Sequence, residues 1–119
     1  MTLAAPQPGQ CCVCRFAEEG VAFAPPGKRR LKPHEFTWVC EADIPYAKTV
    51  HHMPKDTFNR LEREAVDAAG RKAGAYLDSI GQTDLAALTA VQWGAFLDTF
   101  LSAFGEEMRD RLGAHKAPF

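Results

Sequence analysis

The sequence has no long hydrophobic run and no strong excess of charge of either sign. No window approaches the roughly 18 uninterrupted apolar residues that a membrane span needs. The first ten residues have neither the basic start nor the apolar centre of a secretory signal. A net charge of −1 excludes a generally basic nucleic-acid coat. We therefore expect one compact domain in the cytoplasm, where thiols stay reduced.

Motifs for catalysis are also missing. His51 and His52 lie near Asp56, but no nucleophile with a motif context accompanies them. The acidic residues of the second half lack the Glu-x-x-His pattern of a metal site between helices. They are interpreted instead as solvent-facing residues: Glu62, Glu64, Glu106, Glu107 and Asp110. We expect from these absences that the protein is not an enzyme.

The clearest positive signal is a set of four cysteines. Cys11 and Cys14 have the spacing of a zinc knuckle, and Cys40 follows 26 residues after Cys14, where a second ligand-bearing turn fits. Asp43 stands three residues after Cys40, where a second cysteine of that turn is normally found. We predict a closed, structural zinc site from four residues: Cys11, Cys14, Cys40 and Asp43.

Three alternatives about these cysteines stay open at this point. The fourth ligand is Asp43 or one of three histidines: His34, His51 and His52. Cys12 either replaces Cys11 in the knuckle or points elsewhere. Without zinc, the cysteines are buried apolar residues, or they serve a redox role, which Cys-x-x-Cys without a βαβ pattern supports poorly.

The first half of the chain is interpreted as a flexible leader, residues 1–10, and a zinc-ribbon-like β-module over residues 11–53. Val21–Phe23 and the β-branched, aromatic run Phe36–Val39 are predicted strands. Pro25-Pro26-Gly27 predicts a turn between them. An exposed basic loop follows that turn: Lys28, Arg29, Arg30 and Lys32.

From residue 54 onwards the apolar residues recur at spacings of three and four, which predicts amphipathic helices. The first covers about residues 57–79, with Asp56 as its N-cap and Gly81 as its C-cap. Gly70 and Gly74 lie one turn apart within it and each costs about 1 kcal/mol in helix propensity. We expect the close approach of another backbone to compensate for this cost.

A second long helix is predicted after a short helical turn at residues 84–88, capped by Thr83. It covers about residues 90–112, between Thr89 as N-cap and Gly113 as its end. The short connection predicts an antiparallel helical hairpin over residues 54–119, packed on the module. The expected fold class is therefore α+β.

Two charged surfaces are candidates for partner binding. The basic loop at residues 28–32 could neutralise phosphates of nucleic acid, although four charges support only weak, salt-sensitive binding. In the acidic second half, Glu106, Glu107 and Asp110 could imitate those phosphates for a protein target.

The apolar stripe of the second helix is wider than a two-helix hairpin covers. It includes Phe96, Phe100 and Phe104. Either the β-module or a second copy of the chain packs on this stripe, and the module is the favoured cover. A homodimer through the hairpin is the alternative.

Three motifs carry a resemblance to a known family: Cys11-x-x-Cys14, Trp38-Val39-Cys40, and a helical signature that runs from Ala73 to Ala86 and continues from Thr89 to Leu97. On these motifs the chain resembles a family of small uncharacterised proteins from phages and prophages. The resemblance implies a phage or mobile-element origin, and hence the cytoplasm of a bacterial host. It supplies no catalytic residues.

We therefore predict a non-catalytic protein that binds a host protein, as an anti-defence inhibitor of the anti-CRISPR type. The alternative is a small zinc-ribbon protein that binds nucleic acid or regulates through the basic loop.

Overall fold

The computed structural model describes residues 10–15, 21–24 and 36–115 of the chain. Within these ranges the protein is mostly helical, with one small antiparallel sheet. The elements are β1, β2, a 3₁₀ helix, α1, α2, a 3₁₀ turn and α3: Val21–Phe23, Thr37–Val39, Glu41–Tyr46, Ala47–His52, Lys55–Ile80, Leu85–Ala87 and Ala90–Ala114. Residues 1–9, the predicted proline turn and the basic loop lie outside the described ranges.

The two predicted strands form and pair with each other. β1 runs antiparallel to β2, with Val21 opposite Val39 and Phe23 opposite Thr37. β2 begins at Thr37, one residue later than predicted. Val39 is buried, while its neighbour Trp38 points to the other face of the strand and is half-buried.

The segment after β2 is helical, although the module was expected to be of β type. The 3₁₀ helix Glu41–Tyr46 leads directly into α1 and contains Pro45. Pro45 lies near the end of the 3₁₀ helix and two residues before α1 begins, so the N–H that it lacks removes no hydrogen bond from α1. The module is therefore part strand and part helix.

α2 begins at Lys55, so the predicted N-cap Asp56 is wrong. Pro54 occupies the cap position, and no side chain caps the helix there. Asp56 lies in the first turn, where its charge favours the positive end of the helix dipole. The predicted C-cap is confirmed, because Gly81 adopts the left-handed conformation with φ of 69°.

The connection and α3 confirm one predicted cap and correct two other positions. Thr89 caps α3 in a capping box, in which its Oγ1 accepts from the N–H of Gln92 at 3.1 Å. Asp84 rather than Thr83 caps the preceding turn, because its side chain accepts from the N–H of Ala86 at 3.0 Å. α3 continues through Gly113 to Ala114, so Gly113 does not end it.

The hairpin forms without the predicted close approach at Gly70 and Gly74. A Cβ placed at either glycine would meet no atom within 4 Å, so the expectation of a close backbone is wrong. Buried alanines face the partner helix instead, and their small side chains let α2 and α3 pack closely. Ala65 and Ala69 are fully buried in the core of the protein.

The core lies between the module and the C-terminal half of α3. It combines residues from both knuckle segments with residues of all three helices: Cys11, Cys12, Val13, Val39, Ala47, Met53, Leu61, Ala65, Ala69, Ala103, Phe104, Met108 and Leu112. The module therefore covers the C-terminal part of the apolar stripe. Among the described helices, none combines the length and the apolar character of a membrane span.

Candidate metal centre

The first knuckle is a tight turn over residues 11–15. The N–H of Arg15 donates to the carbonyl of Cys11 at 2.9 Å, and Arg15 has a left-handed backbone with φ of 66°. This conformation costs a non-glycine residue about 1 kcal/mol. The Arg15 side chain offsets that cost by an ion pair with buried Glu62 on α2, with Nη2 2.6 Å from Oε2. The knuckle is thereby attached to the helical hairpin.

The second knuckle follows β2. The N–H of Asp43 donates to the carbonyl of Cys40 at 2.9 Å, at the start of the 3₁₀ helix. The two knuckles are joined because the N–H of Cys12 donates to the carbonyl of Trp38 on β2, also at 2.9 Å. This backbone hydrogen bond sets the first knuckle beside the second.

Four side chains from the two knuckles converge: Cys11, Cys14, Cys40 and Asp43. Their ligand atoms all lie within 4.8 Å of one another. Cys14 Sγ is 4.0 Å from Cys40 Sγ, while Asp43 Oδ2 is 3.3 Å from Cys11 Sγ and 3.1 Å from Cys40 Sγ. A tetrahedral ion with Zn–S bonds of about 2.3 Å separates its ligand atoms by about 3.5–3.8 Å. The cluster therefore has the dimensions of a metal site and could hold an ion.

Arg109 on α3 fixes the carboxylate of this cluster. Its Nε donates to Asp43 Oδ1 at 2.6 Å and its Nη2 to Oδ2 at 3.3 Å. Asp43 is fully buried. Burial alone would raise the pKa of Asp43, but the hydrogen bonds from Arg109, Cys40 and Cys11 together hold it below its usual value. Asp43 is therefore an oriented, ionised carboxylate.

Burial holds the thiols of Cys40 and Cys12 in the protonated form. Burial raises the pKa of Cys40 to about 12, and the hydrogen bond to Asp43 acts in the same direction. Burial likewise raises the pKa of Cys12 to about 12. Because metal ligands must be thiolates, an ion that binds here displaces the Cys40 proton.

The alternatives for the ligand set can now be compared with the geometry. Cys12 lies outside the cluster, buried in the core. His51 is also outside it, since its Nδ1 shares a hydrogen bond of 2.9 Å with Thr37 Oγ1 and its ring packs on Phe23. His52 is exposed. His34 lies outside the described residues. Asp43 is thus the one of these candidates that the structure brings to the cysteines.

The predicted partner-binding residues are not brought together in one described surface. Glu106 and Asp110 are exposed on α3. Glu107 is half-buried, where it accepts from Arg111 and pairs with Lys72 at 3.4 Å. The basic residues lie outside the described ranges: Lys28, Arg29, Arg30 and Lys32.

The sequence reasoning missed three residues of the centre: Arg15, Arg109 and Glu62. Glu62 was expected to face solvent, but it is buried. Arg109 reaches Asp43 across 66 positions of the chain, and Glu62 reaches Arg15 across 47. Buried carboxylates need partners, so the core face of α2 was the available clue for Glu62. The spacing of residues along α3 gave no clue that Arg109 contacts Asp43.

The cluster opens to the surface on one side. Cys14 is half-buried and lines a depression of about 380 Å³ together with Arg109 and residues of α3. The depression therefore reaches the edge of the cluster at Cys14.

Comparison with known proteins places the helical hairpin in a family. Residues 57–119, which are 63 of 119 residues, match the model of a family of unknown function, DUF6511. The match includes Glu62 and Arg109 but none of the four candidate ligands. No curated protein and no solved structure matches the chain significantly. The chain belongs to DUF6511, a family of unknown function.

Proposed function

We propose that the chain is a non-catalytic binding protein whose zinc-ribbon-like N-terminal module is held on the helical hairpin by a structural zinc ion. The supporting observation is the convergence of three thiols and one carboxylate within 4.8 Å. Thiolate sulfur favours zinc over magnesium or calcium. Four protein ligands complete a tetrahedral site, so no position is left for a substrate water.

The charges around the four ligands suit a divalent cation. Three thiolates and one carboxylate carry −4, zinc brings the sum to −2, and Arg109 reduces it to −1. The shorter Arg109 hydrogen bond goes to Oδ1 of Asp43, while Oδ2 faces Cys11 and Cys40. Such an outer hydrogen bond is the usual means of orienting a carboxylate ligand.

In this proposal the zinc ion fixes the position of the module on the helical hairpin. The module contacts α2 through Arg15 and Glu62, and α3 through Asp43 and Arg109. Both ion pairs begin in a knuckle, so an ion that fixes the knuckles also fixes the module on the hairpin. Zinc binding then contributes directly to the free energy of folding.

Alanine substitutions in the cysteines test the zinc ion. Cys14→Ala and Cys40→Ala each remove a proposed ligand, whereas Cys12→Ala removes a buried cysteine outside the cluster. We expect a chelator to lower the Tm of the unmodified protein and of Cys12→Ala, but not of the two ligand variants. An unmodified protein whose Tm does not respond to the chelator would contradict the proposal. A Cys12→Ala variant whose Tm is as insensitive to the chelator as that of the ligand variants would also contradict it.

The partner in this proposal is a host protein, with anti-defence inhibition as the expected outcome. Exposed acidic residues on α3, Glu106 and Asp110, support a basic protein surface as target. A plaque assay in bacteria with an active CRISPR effector tests this role. We expect the unmodified protein to protect the phage from the effector. The double variant Glu106→Lys with Asp110→Lys should lose this protection. DNA or heparin binding that is lost when Lys28, Arg29, Arg30 and Lys32 become Ala would favour the nucleic-acid alternative.

A further inference from the structure

Half of the helical hairpin extends beyond the cover of the module. In its C-terminal half α3 buries Phe104, Met108 and Leu112 in the core. The same helical face continues towards the N-terminus through Leu97 and Trp93, by the 3.6-residue period. Leu97 and Trp93 are nevertheless 39% and 44% exposed. The core-facing side of α3 is therefore only partly covered by the described residues along its N-terminal half.

We call residues 73–105 the hairpin end. It holds five of the seven exposed large apolar side chains among the described residues: Leu85, Val91, Trp93, Leu97 and Leu101. Three of them, Trp93, Leu97 and Leu101, recur every four residues and form an apolar row along α3. The rings of Trp93 and Phe96 lie 5.8 Å apart beside this row. An apolar patch of this kind marks a site of interaction with another molecule.

The charge of the hairpin end has one sign. Residues 73–105 contain Asp78, Asp84 and Asp98 and no Lys or Arg. Asp98, Leu101 and Glu106 line the depression described above, together with Arg109, whose guanidinium pairs with Asp43. An apolar row on a segment that carries only acidic side chains selects a partner that is apolar and basic.

We propose that the hairpin end binds a basic amphipathic helix of another protein. The apolar side of that helix packs on Trp93, Leu97 and Leu101, and a Lys or Arg beside it enters the depression at Asp98. This inference rests on the proposed binding function and names the class of partner. Helices recognised in this way present apolar residues at positions i, i+3, i+4 and i+7.

The negative charge of the hairpin end disfavours three other partners, which are a second copy of the chain, nucleic acid and an anionic lipid surface. In a symmetric dimer through this surface, each hairpin end would face three aspartates with three aspartates and no cation. Nucleic-acid phosphates and anionic lipid surfaces would meet the same repulsion. A basic helix is the occupant that satisfies both the apolar row and the aspartates.

A synthetic helix is a suitable probe. We would use a labelled peptide of about 18 residues, about 27 Å of helix, with Leu at every third or fourth position and Lys between. One control peptide replaces Lys by Glu, and another replaces Leu by Ser. Fluorescence anisotropy with the full zinc-loaded chain should show that the Leu/Lys peptide binds at least about tenfold more tightly than either control.

Matched variants locate the binding surface. Leu97→Ser with Leu101→Ser should weaken binding of the Leu/Lys peptide about tenfold or more, while Ile44→Ser, at an exposed residue outside the hairpin end, should not. Asp98→Lys should weaken binding about fivefold, whereas Asp67→Lys, which makes the same charge change at an exposed position of α2, should not.

Several results would overturn the inference. Among these are binding unaffected by the leucine substitutions, equal binding of the Leu/Glu peptide, and a dimer in sedimentation that Leu97→Ser with Leu101→Ser dissociates. The result is separable from the proposed function. A host partner that these substitutions leave bound refutes the inference alone, and a peptide-binding chain without zinc refutes the zinc-held module alone.

Discussion

Arg109 binds the buried carboxylate of Asp43 from 66 positions further along the chain, through hydrogen bonds of 2.6 and 3.3 Å. The same carboxylate accepts from Cys11 and Cys40. Asp43 is thus the point where the two knuckles and α3 meet. The fold and the candidate metal centre depend on one another at this residue.

Removing the guanidinium of Arg109 should destabilise the protein. Arg109→Ala leaves Asp43 buried and charged without its cation, which we expect to cost about 2–3 kcal/mol, given that Arg109 is partly exposed. Arg63→Ala, at an exposed position of α2, should change stability by less than about 0.5 kcal/mol. Urea unfolding of both variants measures the difference. Equal stabilities for the two would show that Arg109 is not needed to compensate Asp43.

The left-handed backbone at Arg15 predicts a reversed preference between glycine and alanine. Both Arg15→Gly and Arg15→Ala lose the ion pair with Glu62, but only glycine adopts a φ of 66° without strain. Arg15→Gly should therefore be about 1 kcal/mol more stable than Arg15→Ala. At Arg63, inside α2, the glycine variant should be the less stable one by a similar amount, about 1 kcal/mol. If the alanine variant is more stable than the glycine variant at both Arg15 and Arg63, the left-handed backbone at Arg15 is contradicted.

Glu62 should make stability depend on pH. Burial raises the pKa of Glu62 above its ordinary value of 4.5, and the hydrogen bond from Arg15 only partly opposes this. The folded state then binds the proton more tightly than the unfolded state. Stability from this group is present at low pH and falls as pH rises from 4.5 through the raised pKa. The free energy of unfolding of the unmodified protein minus that of Glu62→Gln should fall across this window. A difference that is flat or rises would contradict the assignment.

The affinity for zinc should rise with pH. The Cys40 thiol, with its pKa raised to about 12, is protonated at neutral pH and loses its proton when zinc binds. Each displaced proton makes the affinity about tenfold greater per pH unit. Competition with a chelator at several pH values, corrected for the chelator's own protonation, measures this slope. A slope of zero would mean that no thiol proton is displaced and that Cys40 is not a ligand.

Much of the fold follows from local sequence signals. The left-handed Gly81 and the Thr89–Gln92 capping box depend on residues a few positions apart, and each of the two strands is indicated by its own short run of residues. The convergence of Asp43 with the cysteines also followed from the spacing of two knuckles. Such signals are local, so their outcome depends little on the rest of the fold.

The remaining features depend on contacts that spacing does not encode. Pro45 disfavours an α-helix in sequence, yet it lies in a 3₁₀ helix two residues before α1 begins, where it removes no hydrogen bond from α1. The helix glycines Gly70 and Gly74 suggested a close backbone, but the alanines beside them make the helix contact. The pairing of Asp43 with Arg109 joins distant segments, and only the packing of α3 on the module determines it.

Metal content per chain is the most direct test of the central claim. Elemental analysis of the purified protein, with protein concentration measured independently, should find one zinc per chain in the unmodified protein and in Cys12→Ala. It should find no zinc in Cys14→Ala with Cys40→Ala. A fully folded unmodified chain without zinc would contradict the account, as would a double variant that retains one zinc per chain.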